Sequence, residues 1–145
     1  MLRIRKMSEP DFPAVCGLIQ ETLGYGELKP EAIMERLKQV SGRADWATFV
    51  AFAEDEIVGF VGIMKGISYI DEYTKIMGLA VVERARRSGV GRALTEKAEE
   101  WARTQGVDEV QVSTGMKRLG AHAFYRNNGY VEKASQRYYF VKKIK

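Results

Sequence analysis

Apolar and polar positions alternate at the N-terminus, where Leu2 and Ile4 interleave with Arg3 and Arg5. A period of two predicts a half-buried strand over Leu2–Lys6. The period then lengthens. Phe12, Val15, Cys16, Ile19 and Leu23 recur at helical spacing, which predicts a helix over residues 11–23. Ser8 with Asp11 three residues on, and Pro10 between, mark its start. Gly24 and Gly26, flanking Tyr25, mark its end. Pro30 opens a second helix to residue 40 with Ile33, Met34 and Leu37 on its buried stripe.

Beyond it the apolar runs shorten and become β-branched. Residues 48–53 and 57–67 read as a β-hairpin around the acidic turn Glu54-Asp55-Glu56. Residues 72–82 include the near-continuous run Ile76, Met77, Leu79, Ala80, Val81 and Val82, the pattern of a strand buried on both faces. A helix over 89–105 carries Val90, Leu94, Ala98 and Trp101 on one face and ends at Gly106. A strand over 108–114, a short helix over 120–128 ending at Gly129, and a last strand over 137–143 complete the pattern. The predicted order is β-α-α-β-β-β-α-β-α-β, an α/β (α+β) class with a mixed, mostly antiparallel sheet flanked by helices.

The 145 residues suit a single domain, residues 1–145. One Cys and one His exclude a Cys/His zinc site and an internal disulfide framework, so no metal is expected. Cys16, set among Phe12, Val15 and Ile19, reads as a core filler. No apolar run reaches the ~20 residues of a membrane span. No apolar signal core follows the basic N-terminus, so the expected location is the cytoplasm. Net charge sharpens this picture. The chain carries +4 overall, but residues 1–70 carry −2 and residues 71–145 carry +6.

Much of that excess crowds one segment. After Leu79-Ala80-Val81-Val82-Glu83 come Arg84, Arg86, Arg87 and Arg92, with Ser88, Gly89, Val90, Gly91 and Ala93 among them. A strand leads in and a helix leads out. Glycines let backbone approach a ligand closely, and the helix start offers free N–H groups and a positive dipole end. A phosphate or pyrophosphate site follows. Lys and Ser/Thr do not follow the second glycine, as they do in a Walker loop, and no third glycine completes a dinucleotide fingerprint.

The run Arg86-Arg87-Ser88-Gly89-Val90-Gly91, between a Leu-Ala-Val strand and an Arg-Ala-Leu helix, resembles motif A of the GNAT N-acetyltransferase family. Downstream, Ala121-His122-Ala123-Phe124-Tyr125-Arg126-Asn127-Asn128-Gly129-Tyr130 is similar to that family's Ala-x-x-x-Tyr-x-x-x-Gly-Phe/Tyr stretch. The element order matches over nearly the whole chain. The resemblance implies acetyl-CoA as co-substrate and a primary amine as acceptor. It implies that Leu79, Ala80 and Val81 lie where the strand bulges and offers backbone groups to the pantetheine arm. Residues 86–93 would hold the pyrophosphate. Arg118, Ala121 and Phe124 would line the coenzyme, which would enter a splay between strands ending near Val81 and Thr114. Tyr125 would protonate the leaving thiolate, a role that suits a phenol still protonated at neutral pH.

The chain also departs from the family pattern. Arg118 replaces the frequent Asn, and Lys75 stands in the register of the frequent glutamate base. Glu72 is then the nearest carboxylate candidate for the base, beside a backbone- or water-mediated route. His122 shares a helix face with Tyr125 and reads as a packing or surface residue. The stripe Tyr130, Tyr138, Tyr139 and Phe140 reads as sheet packing, and the terminal lysines as solvated. A catalytically silent coenzyme A-binding module is the alternative, motivated by the absent glutamate. Nucleic acid is not an expected partner, because the charges cluster at one loop rather than along a face. The resemblance implies that acceptor specificity lies with the first two helices and the loops at residues 24–29 and 66–73, whose Glu21, Glu27, Asp71 and Glu72 suit a cationic amine, with a small-molecule amine, a polyamine, an aminoglycoside and a protein lysine all open. Family habit suggests a homodimer.

Overall fold

A computed structural model describes residues 2–114, 118–133 and 139–144. They fall into two compact units, Met1–Ser113 and Thr114–Lys145.

The first unit is built on a five-stranded sheet in sequential order. Its strands are β1 (Leu2–Lys6), β2 (Trp46–Ala53), β3 (Glu56–Ile67), β4 (Glu72–Val81) and β5 (Val110–Val112). The first three junctions are antiparallel and β4–β5 is parallel, so the sheet is mixed. Glu54 and Asp55 join β2 to β3 with φ of 52° and 66°. Two left-handed central residues make the turn whose twist matches a hairpin's strands, so the acidic turn expected from sequence is a tight two-residue connection.

Helices α1 (Phe12–Thr22) and α2 (Pro30–Ser41) cover one face of the sheet. Phe12, Val15, Cys16 and Leu18 of α1 and Ile33 and Leu37 of α2 bury against Val50, Phe60 and Ala80. The start of α1 is fixed as its sequence suggests. Ser8 and Asp11 close a reciprocal capping box, and Asp11 also accepts two hydrogen bonds from Arg5, at 2.7 and 3.0 Å. The guanidinium, with help from the Ser8 N–H, holds the Asp11 carboxyl below the usual carboxylate range. Cys16 is buried, and desolvation pushes its thiol up, as befits a core filler.

Helix α3 (Val90–Thr104) packs on the opposite face. Its predicted stripe of Val90, Leu94, Ala98 and Trp101 is buried throughout. Leu94, fully enclosed, contributes about 1.5–3 kcal/mol by burial alone. Gly59 lets this helix approach, since a Cβ there would lie 2.9 Å from the Ala80 carbonyl and 3.0 Å from Leu94 Cδ1.

In the second unit, α4 (Leu119–Asn127) is the regular element among the described residues. The last strand expected from sequence, residues 137–143, is not present where it can be checked. Arg137 and Tyr138 lie outside the described residues, and Tyr139 to Lys143 belong to no strand. The side chains of Tyr139, Phe140 and Val141 are exposed, so the stripe read as sheet packing is not buried there. Alternating aromatics supply β-propensity, but a strand exists only where a neighbouring ladder accepts its N–H and C=O groups.

Candidate active site

In the first unit the site begins with an irregularity in β4. Gly62 pairs with Gly78 and Ile63 with Ile76, so Met77 is an extra residue on β4. The bulge expected at Leu79, Ala80 and Val81 therefore lies two residues earlier than Leu79. Pairing with β5 ends at the same point, with Ile76 opposite Val112. Beyond it β4 runs on to Val81 with a ladder partner on the β3 side alone, among the described residues. Among the described residues, the pairing of β4 with β5 thus ends at Ile76, five residues before Val81.

A bulge and a lost neighbour leave backbone groups available. Val82 donates its N–H to the Val58 carbonyl at 2.8 Å. Alternate residues of an antiparallel strand address the same neighbour, so Ala80 also faces β3. Leu79 and Val81 then direct their N–H and C=O groups to the open side. Arg86 confirms the direction at Val81, whose carbonyl accepts from Arg86 Nε at 3.2 Å.

That contact ties β4 to the loop after it. A short 3₁₀ turn, Glu83–Ala85, leads into Arg86, and Ser88 Oγ donates to the Ala85 carbonyl. Arg87 has φ 64° and Gly89 φ 87°. Two left-handed residues turn the chain so that α3 starts directly behind them. Gly89 is the N-cap residue of α3 and has no side chain to cap with. The N–H groups of Val90, Gly91 and Arg92 lie in the first turn, where the helix supplies no acceptor. Ala93 is the first residue bonded back, to the Gly89 carbonyl at 3.0 Å. The uncapped helix start therefore aims three donors and a positive dipole end at the loop.

The four arginines do not act alike. Arg84 pairs with Glu56 at 2.6 Å and Arg92 with Glu96 at 3.0 Å. Arg86 and Arg87 are exposed and form no ion pair among the described residues. The cationic charge open to a ligand is narrower than the sequence count suggests, because Glu56 and Glu96 come to the segment from a neighbouring strand and the next helical turn.

Glu72 stands at the opposite end of β4, exposed and 3.7 Å from Lys65 Nζ. Five residues of strand separate it from Met77, about 16 Å at the usual rise.

In the second unit the downstream stretch forms α4. Arg118 is its N-cap residue; Ala121, Phe124 and Tyr125 follow on the helix. The helix closes in a Schellman motif: Tyr130 donates to the Tyr125 carbonyl at 2.9 Å and Gly129 to the Arg126 carbonyl at 3.2 Å. Gly129 takes the left-handed φ of 89° that this cap requires. The spacing Tyr-x-x-x-Gly-Tyr is thus the spacing of a helix cap. Burial pushes the Tyr125 phenol above its ordinary value, against a smaller downward pull from the Arg118 charge.

Among the described residues no group of His, Cys, Asp and Glu is placed to hold a metal ion. No helix there is long and apolar enough to cross a membrane.

The Acetyltransferase (GNAT) family model matches residues 3–130. The uncharacterized N-acetyltransferase YhdJ of Bacillus subtilis is 29% identical over 100 residues, 68% of this chain and 70% of that protein. An aminoglycoside N(6')-acetyltransferase type 1 of Stenotrophomonas maltophilia is 31% identical over 105 residues, 68% of this chain and 69% of its own length. Among solved structures, AAC(6')-Iy in complex with a CoA-S-monomethyl-acetylneamine bisubstrate analog matches with a TM-score of 0.87 at 19% identity, covering 99% of both chains. With the family model matching residues 3–130, nearly its whole length, the chain belongs to the GNAT family of acetyl-CoA-dependent N-acetyltransferases.

Proposed function

We propose that the chain transfers the acetyl group of acetyl-CoA directly to the primary amine of a cationic acceptor. The observation that carries this reading is the junction of β4 and α3. There an open strand edge past Met77 runs into a left-handed loop that ends on an uncapped helix start. A narrow adenine nucleotide with a long amide-bearing arm suits that shape. The backbone N–H groups of Val90, Gly91 and Arg92, with the side chains of Arg86 and Arg87, hold the pyrophosphate. Ser88, Gly89 and Ala93 shape the turn around it. The backbone groups of Leu79 and the N–H of Val81, beside the buried Ala80, bind the pantetheine amides and orient the acyl carbonyl. Arg118, Ala121 and Phe124 are assigned to the coenzyme as well.

Bound acetyl-CoA supplies an activated thioester. The neutral amine attacks its carbonyl carbon, so the C–N bond forms as the C–S bond breaks. Oriented backbone donors stabilise the charge on the carbonyl oxygen. Tyr125 gives its phenolic proton to the departing thiolate, and burial keeps that phenol protonated at neutral pH. The ammonium proton leaves through water, and Glu72, about 16 Å of strand from Met77, is given no direct transfer. Glu72 and Asp71 instead form the anionic side on which a cationic acceptor docks. Two observations support such an acceptor: the acidic segment at residues 71–72 and the aminoglycoside-acetylating relative.

The test is a thiol-release assay with acetyl-CoA against aminoglycosides, polyamines, small amines and lysine peptides. Turnover with a cationic member is expected. Calorimetric binding of coenzyme without turnover on any amine would leave only the silent coenzyme A-binding module, which Lys75 in the register of the family's frequent glutamate would then explain.

A further inference from the structure

The Schellman cap of α4 does more than end a helix, because the residue whose carbonyl it holds is Tyr125. Three backbone donors converge on the last carbonyls: Asn128 and Tyr130 reach the Tyr125 carbonyl at 3.1 and 2.9 Å, and Gly129 reaches that of Arg126 at 3.2 Å. The Asn128 amide adds a bond to the Phe124 carbonyl at 2.8 Å. Arg126 pairs with Glu132 at 3.2 Å, which ties the segment after the cap back to the helix. The rings follow the backbone. Tyr130 meets Tyr125 edge-on with centroids 5.5 Å apart and planes at 67°. Phe124 meets it at 5.2 Å and 78°.

Such holding is needed here. Helix α4 has nine residues, fewer than the roughly 12–15 at which a helix persists in water unaided. Tyr125 lies in its last turn, where fraying begins. A frayed last turn swings the phenol by several ångströms, and general-acid catalysis requires it within hydrogen-bond distance of the sulfur.

We infer that Tyr130 is a positioning residue for Tyr125, acting through the C″–C3 contact of the cap and through its ring edge. The inference rests on the acid role proposed for Tyr125. Gly129 provides the left-handed backbone that puts the Tyr130 ring there.

The experiment is a double-mutant cycle on turnover with acetyl-CoA and the best acceptor from the amine panel. Tyr130→Leu keeps an apolar C″ residue and removes the aromatic edge. An edge-on pair contributes about 1 kcal/mol, so kcat is expected to fall about fivefold. Acetyl-CoA affinity by calorimetry is expected to stay within twofold. Tyr130→Phe, which retains the ring, is expected to restore most of kcat. In a Tyr125→Phe background, Tyr130→Leu is expected to have no further effect on kcat, because the group it positions is gone. An equal fall in both backgrounds would overturn the inference and leave the acid role standing. If Tyr125→Phe alone turns over at the wild-type rate, the acid role fails, and the inference falls with it. A merely structural role would lower the melting temperature and coenzyme affinity together, in both backgrounds.

Discussion

Gly89→Ala isolates the backbone's share of coenzyme binding, because the position is strained but uncrowded. Gly89 has φ 87°, and a Cβ built on it meets nothing within 4 Å. The substitution therefore adds no packing term. An L-residue in the left-handed region costs about 1–2 kcal/mol. The gain from a less flexible unfolded chain offsets about 0.4–1 kcal/mol of that. Net destabilisation is about 0.5–1 kcal/mol, a fall in melting temperature of about 1–4 °C for a chain of this size. Binding suffers more. Relief of the strain moves φ to negative values and turns the first-turn N–H groups of α3 away from the loop. Each hydrogen bond to a charged group contributes about 1.5–3 kcal/mol, so one or two lost bonds raise the Kd for coenzyme A by at least tenfold. Calorimetry with coenzyme A and with pantetheine, which lacks the phosphates, separates the terms. Pantetheine binding should change little. A variant that melts within the predicted range yet binds coenzyme A within twofold of wild type would refute the assignment of the helix start to the phosphates.

Tyr125→Phe is expected to lower kcat by about a hundredfold or more while the KM for acetyl-CoA stays within twofold, read by thiol release. Because burial raises this phenol above its ordinary value of 10.0, the acid form persists through neutral pH and any loss of activity from its ionisation belongs above pH 10. Asp11 titrates in the opposite sense. Its folded-state value is depressed, so its pair with Arg5 stabilises the protein fully above the unfolded carboxyl value near pH 4 and is lost as pH falls through the lower folded value. Asp11→Asn should cost about 2 kcal/mol at pH 7 and progressively less as pH falls below 4, as measured by denaturant melts across that range. Gly59→Ala should cost about 1–3 kcal/mol, since its Cβ would press on the Ala80 carbonyl and Leu94. Displacement of β4 should weaken coenzyme A binding at the same time.

The elements that could be read from the sequence are those whose determinants lie close together along the chain. The capping box of Ser8 and Asp11, the hairpin turn at Glu54 and Asp55, and the stripe from Val90 to Trp101 all depend on neighbours within a few residues. The coenzyme loop belongs with them. Glycine at residue 89 and a helix start directly behind it are contiguous, so the loop proposed to hold the coenzyme phosphates can be read along the chain. The Tyr125 motif is local too, although its meaning as a helix cap shows only in the hydrogen bonds.

Tertiary structure decided what depends on distant partners. The bulge sits at Met77 rather than at Leu79 because β4 must register against β3, which no residue of β4 specifies alone. Arg84 is spent on Glu56, twenty-eight positions earlier in the chain, so the +6 of the second half overstates the charge left for a ligand. Glu72 and Met77 look adjacent in sequence, but an extended strand sets them about 16 Å apart. Tyr139 to Lys143 have strand propensity without being a strand. Side-chain pattern and turn chemistry are short-range and can be read along the chain. Strand register, ion pairing and the distance between two groups depend on what folding brings alongside, and only the folded chain sets them.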